Sequence, residues 1–148
     1  KYADVILPNI SEASFMTGMP YPGENASNEC IKDLLLSLAK LGSKKIVITG
    51  VESADHKFGF MGYDSETKEF FEYYTPKVQM KSHGTGDVFA STFTGALMND
   101  YNIQDSLKIA ADFTKACINN TYNDPEAVNY AVNFESEIPY LLKLIRKV

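Results

Sequence analysis

The sequence has little with which to grip a polyanion. Of its 14 basic residues only Arg146 is an arginine, and the lysines are scattered without forming a stripe. Together with a formal net charge of −5, this argues against a nucleic-acid partner, because phosphate backbones are held by clustered cations. An arginine that clamps a smaller phosphate must be Arg146, poorly placed near the end of a terminal helix pattern, or come from outside the chain. Long apolar runs are missing too: none approaches the roughly 18–20 residues that a bilayer span requires. The first residues lack a basic-then-apolar leader pattern, so a cytoplasmic protein with no membrane association is expected. Cys30 and Cys117 fall in helical patterns with no partner spacing, which reads as buried reduced thiols and not as a disulfide or metal site. In that setting the sequons at Asn9, Asn25 and Asn119 carry no meaning. Internal repeats and low-complexity stretches are absent.

What remains is a chain of 148 residues, 45% of them hydrophobic, enough for one sizeable core. It begins at Lys1 and runs at once into the apolar stretch Tyr2–Leu7, which reads as a piece of a longer protein.

Alternation of short apolar runs with helical periods predicts an α/β fold. A strand at about 3–8 ends on Pro8-Asn9, and a short helix from Ile10 is closed by Gly18. Asn9 with Glu12 has capping-box spacing, asparagine standing in for serine. A second helix over about 28–41 has Ser27 as its cap and Ile31, Leu34, Leu35, Leu38 and Leu41 on one face. Lys45 to Gly50 is a continuous apolar run of the kind buried on both faces of a parallel sheet, which gives a right-handed βαβ crossover. Thr49 stands at its carboxyl end, where open α/β sheets place ligands, although taken by itself an ordinary strand-end threonine is the plainer reading. Aromatic runs at 57–63 and 68–75 around Asp64-Ser65-Glu66-Thr67 predict a hairpin. Further helices are expected from the glycine turn to about Tyr101, over 103–121, and through Ile138, Leu141, Leu142 and Ile145.

The most informative stretch is Gly84-Thr85-Gly86-Asp87. Val88, Phe89, Thr92, Phe93, Ala96 and Leu97 follow at helical spacing, so the glycines open a helix whose first N–H groups lack partners. Such an end attracts anions. Asp87 either caps the helix or, beside a phosphate, takes a proton from an attacking hydroxyl. The four residues alone leave both readings open.

Taken together, Ala3-Asp4-Val5-Ile6-Leu7-Pro8-Asn9 with Glu12 and Gly18, then Ile46-Val47-Ile48-Thr49-Gly50, then Gly84-Thr85-Gly86-Asp87, resemble the carboxyl-terminal half of a ribokinase-superfamily small-molecule kinase. Within it, the vitamin B6 kinases, which act on pyridoxal and pyridoxamine, are the nearest likeness. The tail Tyr130-Ala131-Val132-Asn133-Phe134-Glu135 is similar to the end of a pyridoxal kinase. Sugar kinases usually carry Gly-Ala-Gly-Asp with an aspartate ahead of it, where this chain has Lys81-Ser82-His83. Hydroxymethylpyrimidine kinases match His83-Gly84-Thr85-Gly86 but tend to place cysteine where Asp87 stands.

The resemblance implies a three-layer ribokinase-like fold, here partial, with a mostly parallel sheet, a β-hairpin extension, helices on both faces and no internal domain boundary. It implies ATP and Mg²⁺ as cofactors and a vitamin B6 alcohol as substrate. Asp87 would be the catalytic base, and the N–H groups of Gly84, Thr85 and Gly86 would hold charge developing on the phosphoryl oxygens. Asn9 and Glu12 would act near the phosphates, Glu12 reaching Mg²⁺ through water. Thr49 would touch a phosphate or the ribose, and Thr75, Pro76, Lys77 and Val78 would border the nucleotide, Val78 against adenine. The amino-terminal half that the family adds, with most vitamin-contacting side chains, is not in this sequence, and a homodimer is expected at full length. The alternatives are a hydroxymethylpyrimidine or sugar kinase and, from another class, a non-catalytic nucleotide-binding module.

Overall fold

A computed structural model describes residues 2–23, 26–76, 84–127 and 131–145. The chain divides into two compact units, Lys1–Lys77 and Val78–Val148.

In the first unit, β1 (Val5–Ile6) leads into α1 (Ile10–Thr17), and α2 (Asn28–Ala39) leads into β2 (Lys45–Glu52), β3 (Lys57–Asp64) and β4 (Glu69–Pro76). The four strands form one sheet in the order β1-β2-β3-β4. β1 pairs parallel with β2, whereas β2–β3 and β3–β4 are antiparallel. The βαβ crossover and the hairpin are therefore both present, but the sheet is mixed and not mostly parallel. The reason is that tight turns join β2 to β3 and β3 to β4, and a tight turn can only return the chain antiparallel.

The helices form for local reasons and stay because they bury one face. Ser27 accepts a hydrogen bond from the Cys30 N–H at 3.3 Å and starts α2, whose Ile31, Leu34, Leu35 and Leu38 are buried. They meet Ile10 and Ala13 of α1 and Ile46, Ile48, Val51 and Met61 of the sheet in one cluster. Each such aliphatic side chain contributes roughly 1.5–3 kcal/mol by leaving water, so truncating Leu35 to alanine should cost about 2–5 kcal/mol. Val47 and Phe60, pointing to the other face, are buried as well. Leu41 lies beyond the end of α2 and is exposed. Cys30 is exposed too, unlike the buried Cys117: it lies about a quarter-turn off the apolar stripe of α2.

The second unit holds α3 (Thr85–Met98), α4 (Ile103–Asn123), a 3₁₀ turn at Glu135–Glu137 and α5 (Ile138–Leu144). Asn102 caps α4 by accepting from the Asp105 N–H at 2.8 Å. Phe113 and Cys117 of α4 pack with Val132 beneath Val88, Ile118, Leu141 and Leu144. The Thr121 hydroxyl donates to the Cys117 carbonyl at 2.7 Å and accepts from the Asn133 N–H at 2.8 Å, which ties the tail to α4.

Candidate functional site

Three of the predicted residues, Asn9 and Glu12 from one stretch and Thr49 from another forty positions beyond Asn9, meet at one end of the sheet. Beyond β1 the parallel register with β2 continues without slip, from Ile6 beside Ile46 to an isolated bridge between Asn9 and Thr49. The Thr49 N–H donates to the Pro8 carbonyl at 2.9 Å, and the Thr49 hydroxyl lies 3.5 Å from the same oxygen. Asn9 then starts α1 with a complete capping box. Its Oδ1 accepts from the Glu12 N–H at 2.9 Å, while Glu12 Oε2 accepts from the Asn9 N–H at 2.9 Å. The box sets both side chains at an exposed helix start. The Asn9 amide keeps its NH₂ donors for an anion, and the second carboxylate oxygen of Glu12 can take a hard cation or its water. Among the described residues no group of three or more His, Cys, Asp or Glu side chains is arranged to hold a metal ion. A single carboxylate suits a cation that keeps most of its waters and is held chiefly by phosphates.

Strand direction places two further residues at the same end. β1, β2 and β4 all run one way, so Thr75 and Pro76, closing β4, stand with Asn9 and Thr49 at the carboxyl ends. Thr49 opposes Phe60, and Phe60 opposes Tyr73. Thr75, two residues past Tyr73, therefore shares the face of Thr49 and lies about 12 Å from it by strand geometry. Its hydroxyl donates to the Phe58 carbonyl at 3.4 Å. Lys77 and Val78 lie outside the described residues.

The sequence reading took Gly50 as the end of a strand, whereas it forms a bulge within one. The pairing of β2 with β3 shifts between Thr49 and Val51, and Gly50 takes up the extra residue at φ 72. A left-handed glycine in a bulge bends the strand and re-aims its neighbours, here Thr49. The only sequence signal was a glycine after an apolar run, which serves equally as a stop.

In the second unit Gly84 is the N-cap of α3 at φ 81 and ψ −2, with no side chain capping the helix. The first intrahelical bond runs from the Val88 N–H to the Gly84 carbonyl at 3.1 Å, so the N–H groups of Thr85, Gly86 and Asp87 precede the helical ladder. Asp87 stands in the exposed first turn and is not the N-cap. The left-handed glycine of the motif is Gly84, not Gly86. A Cβ added at either would meet nothing within 4 Å. Val88, packed against the Phe113–Cys117 cluster, anchors this turn to the unit's core. His83 lies outside the described residues.

With a mixed α/β sheet whose carboxyl ends gather Asn9, Glu12, Thr49 and Thr75, and with a glycine-started helix carrying an acid, the chain can be set beside known proteins. Residues 1–132 match the phosphomethylpyrimidine kinase family, and the chain belongs to it. It is 30% identical over 122 residues to the hydroxymethylpyrimidine/phosphomethylpyrimidine kinase of Aquifex aeolicus, covering 82% of this chain and 46% of that protein. Among solved structures it resembles a Bacteroides thetaiotaomicron protein assigned as a phosphomethylpyrimidine kinase, in a crystal form with pyridoxal. The TM-score is 0.83 and the identity 28%, covering 99% of this chain and 50% of that one. It also resembles the pyridoxal kinase of Staphylococcus aureus in complex with ADP, with a TM-score of 0.74 and 25% identity over 89% of this chain and 47% of that one. The fold is thus the ribokinase-like one of pyridoxal and phosphomethylpyrimidine kinases. The chain spans about half the length of the curated relatives it matches.

Proposed function

We propose that this chain is the carboxyl-terminal, nucleotide-binding half of a single-domain kinase that moves the γ-phosphoryl group of ATP to the hydroxymethyl group of pyridoxal, pyridoxamine or pyridoxine. The observation that carries the reading is the meeting of Asn9, Glu12 and Thr49 through a parallel bridge and a capping box. Ligands of open α/β sheets are expected at these strand ends. The Staphylococcus aureus relative, whose structure holds ADP, supports ATP as the donor.

In this reading Asp87 takes the proton of the attacking hydroxyl, and the N–H groups of Gly84, Thr85 and Gly86 stabilise charge on the transferred phosphoryl oxygens. Asn9 donates its amide to a phosphate oxygen, and Glu12 holds Mg²⁺ through water. That ion, when bound, neutralises phosphate charge. Thr49 contacts a phosphate or the ribose, and Thr75 to Val78 border the base. The remaining half of the domain supplies most of the vitamin-contacting side chains, and the full-length protein is a cytoplasmic homodimer.

A second reading, phosphorylation of a hydroxymethylpyrimidine, is favoured by the matched family and by the Aquifex aeolicus relative. ADP release by the full-length protein should be measured with pyridoxal, pyridoxamine, pyridoxine, a hydroxymethylpyrimidine and ribose. Turnover fastest on the pyridine alcohols supports the first reading, turnover fastest on the pyrimidine the second. ATP-dependent turnover of none of them refutes both.

A further inference from the structure

The turn between β2 and β3 carries a histidine where a glycine would be at ease. His56 has φ 55, the left-handed position that follows a tight turn in short hairpin loops and is commonly filled by glycine. The turn closes through the His56 N–H to the Ser53 carbonyl and the Ser53 N–H to the Lys57 carbonyl, both at 2.9 Å. What the imidazole gains there is Glu52: Nδ1 lies 2.9 Å from Glu52 Oε1, with the carboxylate side chain 10% exposed and the ring 85% exposed. An ionised carboxylate only accepts, so Nδ1 donates, and in the neutral ring Nε2 keeps its lone pair. A nearly buried acid thus fixes the tautomer and aim of an exposed acceptor.

The turn stands at the carboxyl end of β2, beyond Thr49. Glu52 follows Thr49 by three residues, roughly 9 Å along the strand, a separation comparable with a triphosphate chain. Glu52 pairs with Phe58 and Phe58 with Thr75, so the acid lies in the row that ends β4.

We infer that His56, oriented by Glu52, is a nucleoside-contacting residue whose Nε2 accepts a hydrogen bond from an O–H or N–H of the bound nucleotide. This rests on the nucleotide-binding reading above and adds a specificity residue to it. The test is calorimetric titration of ATP, 2′-deoxy-ATP, 3′-deoxy-ATP and inosine triphosphate into the protein and its His56→Gly and Glu52→Gln variants. Glycine suits the turn, so His56→Gly should melt no lower than the parent. Loss of one hydrogen bond should weaken ATP about three- to tenfold, with Glu52→Gln between parent and His56→Gly. The analogue that lacks the donated hydrogen should bind the parent as weakly as ATP binds His56→Gly, and His56→Gly should no longer tell the two apart. Equal ATP affinity in parent and His56→Gly would overturn the inference while leaving the nucleotide reading standing. So would unchanged discrimination among the analogues, or a loss of affinity matched by a lower melting temperature. Failure of the parent to bind any of the four would overturn both.

Discussion

Replacing Asp87 by asparagine separates the two things a first-turn acid can do. Gly84, not Asp87, is the N-cap of α3, and no side chain caps that helix. The structural value of the carboxylate is then its interaction with the helix dipole, about 0.3–1 kcal/mol at an exposed first-turn position. For a chain of this size such a loss lowers the melting temperature by no more than about 4 °C. A positioned general base contributes about 10²- to 10⁴-fold in rate, which corresponds to roughly 2.7–5.4 kcal/mol of barrier. The two roles therefore differ several-fold in energy and appear in different assays. In the full-length protein, Asp87→Asn is expected to keep its melting temperature within about 4 °C and its ATP affinity near that of the parent. ADP release at saturating substrate should fall by about two to four orders of magnitude. A maximal rate within about threefold of the parent, in a folded variant, falls well short of the general-base range. That result would make the carboxylate structural and require another base.

Other outcomes follow from neighbouring geometry. Gly84→Ala forces a left-handed φ on alanine, a strain of about 1–2 kcal/mol, and should lower the melting temperature by roughly 2–8 °C. Gly86→Ala has open space for its methyl group; its melt should be unchanged while ATP affinity and rate fall together, and a variant with parental affinity would remove the phosphate from this turn. Iodoacetamide should label the exposed Cys30 in the native protein and spare Cys117, whose thiol burial pushes up to about 12, a contrast that peptide mass mapping reads directly. Asp64 accepts a short hydrogen bond from Lys45 that holds its carboxyl below the usual carboxylate range. Its contribution to stability should be complete above about pH 4 and be lost as pH falls through the lowered folded pKa. Acid titration of Asp64→Asn against the parent should show that loss only in the parent.

How much of this was legible in the sequence depended on how local each feature is. The capping box of Asn9 and Glu12 and the Ser27 cap involve residues three apart, and both hydrogen-bond sets are where the spacing put them. The hairpin, written in two aromatic runs about one turn, has the expected limits within a residue. Burial of Cys30 was misjudged because a helical pattern alone does not fix the phase of its apolar stripe to better than a quarter-turn. The parallel pairing of β1 with β2 and the antiparallel β3–β4 hairpin were both legible; what was not is that β2 also returns antiparallel into β3 through a tight turn, which leaves the parallel sense to a two-residue strand, Val5–Ile6.

The juxtaposition on which the proposed function rests was the least legible of all. A parallel register is not set by a turn; it depends on which apolar side chains share a face once the intervening helix has packed. Here Ile46 and Ile48 of β2 enter the cluster with Ile10 and Ala13 of α1, and Ile6 packs against it. That packing holds the strand ends in a constant offset through Asn9 and Thr49. A slip of one residue would turn Ile46 and Ile48 away from α2 and take Asn9 off Thr49 in the same step. Core and candidate site are therefore set by a single choice of register. It follows that Ile48→Thr, which keeps the β-branched shape but buries a hydroxyl, should loosen both at once. Its melting temperature and its nucleotide affinity should fall together, whereas Leu35→Ala, on the buried face of α2 and outside the β1–β2 pairing, should cost stability and leave affinity nearly unchanged. Parental ATP affinity in a folded but clearly destabilised Ile48→Thr would show that the site does not depend on this register.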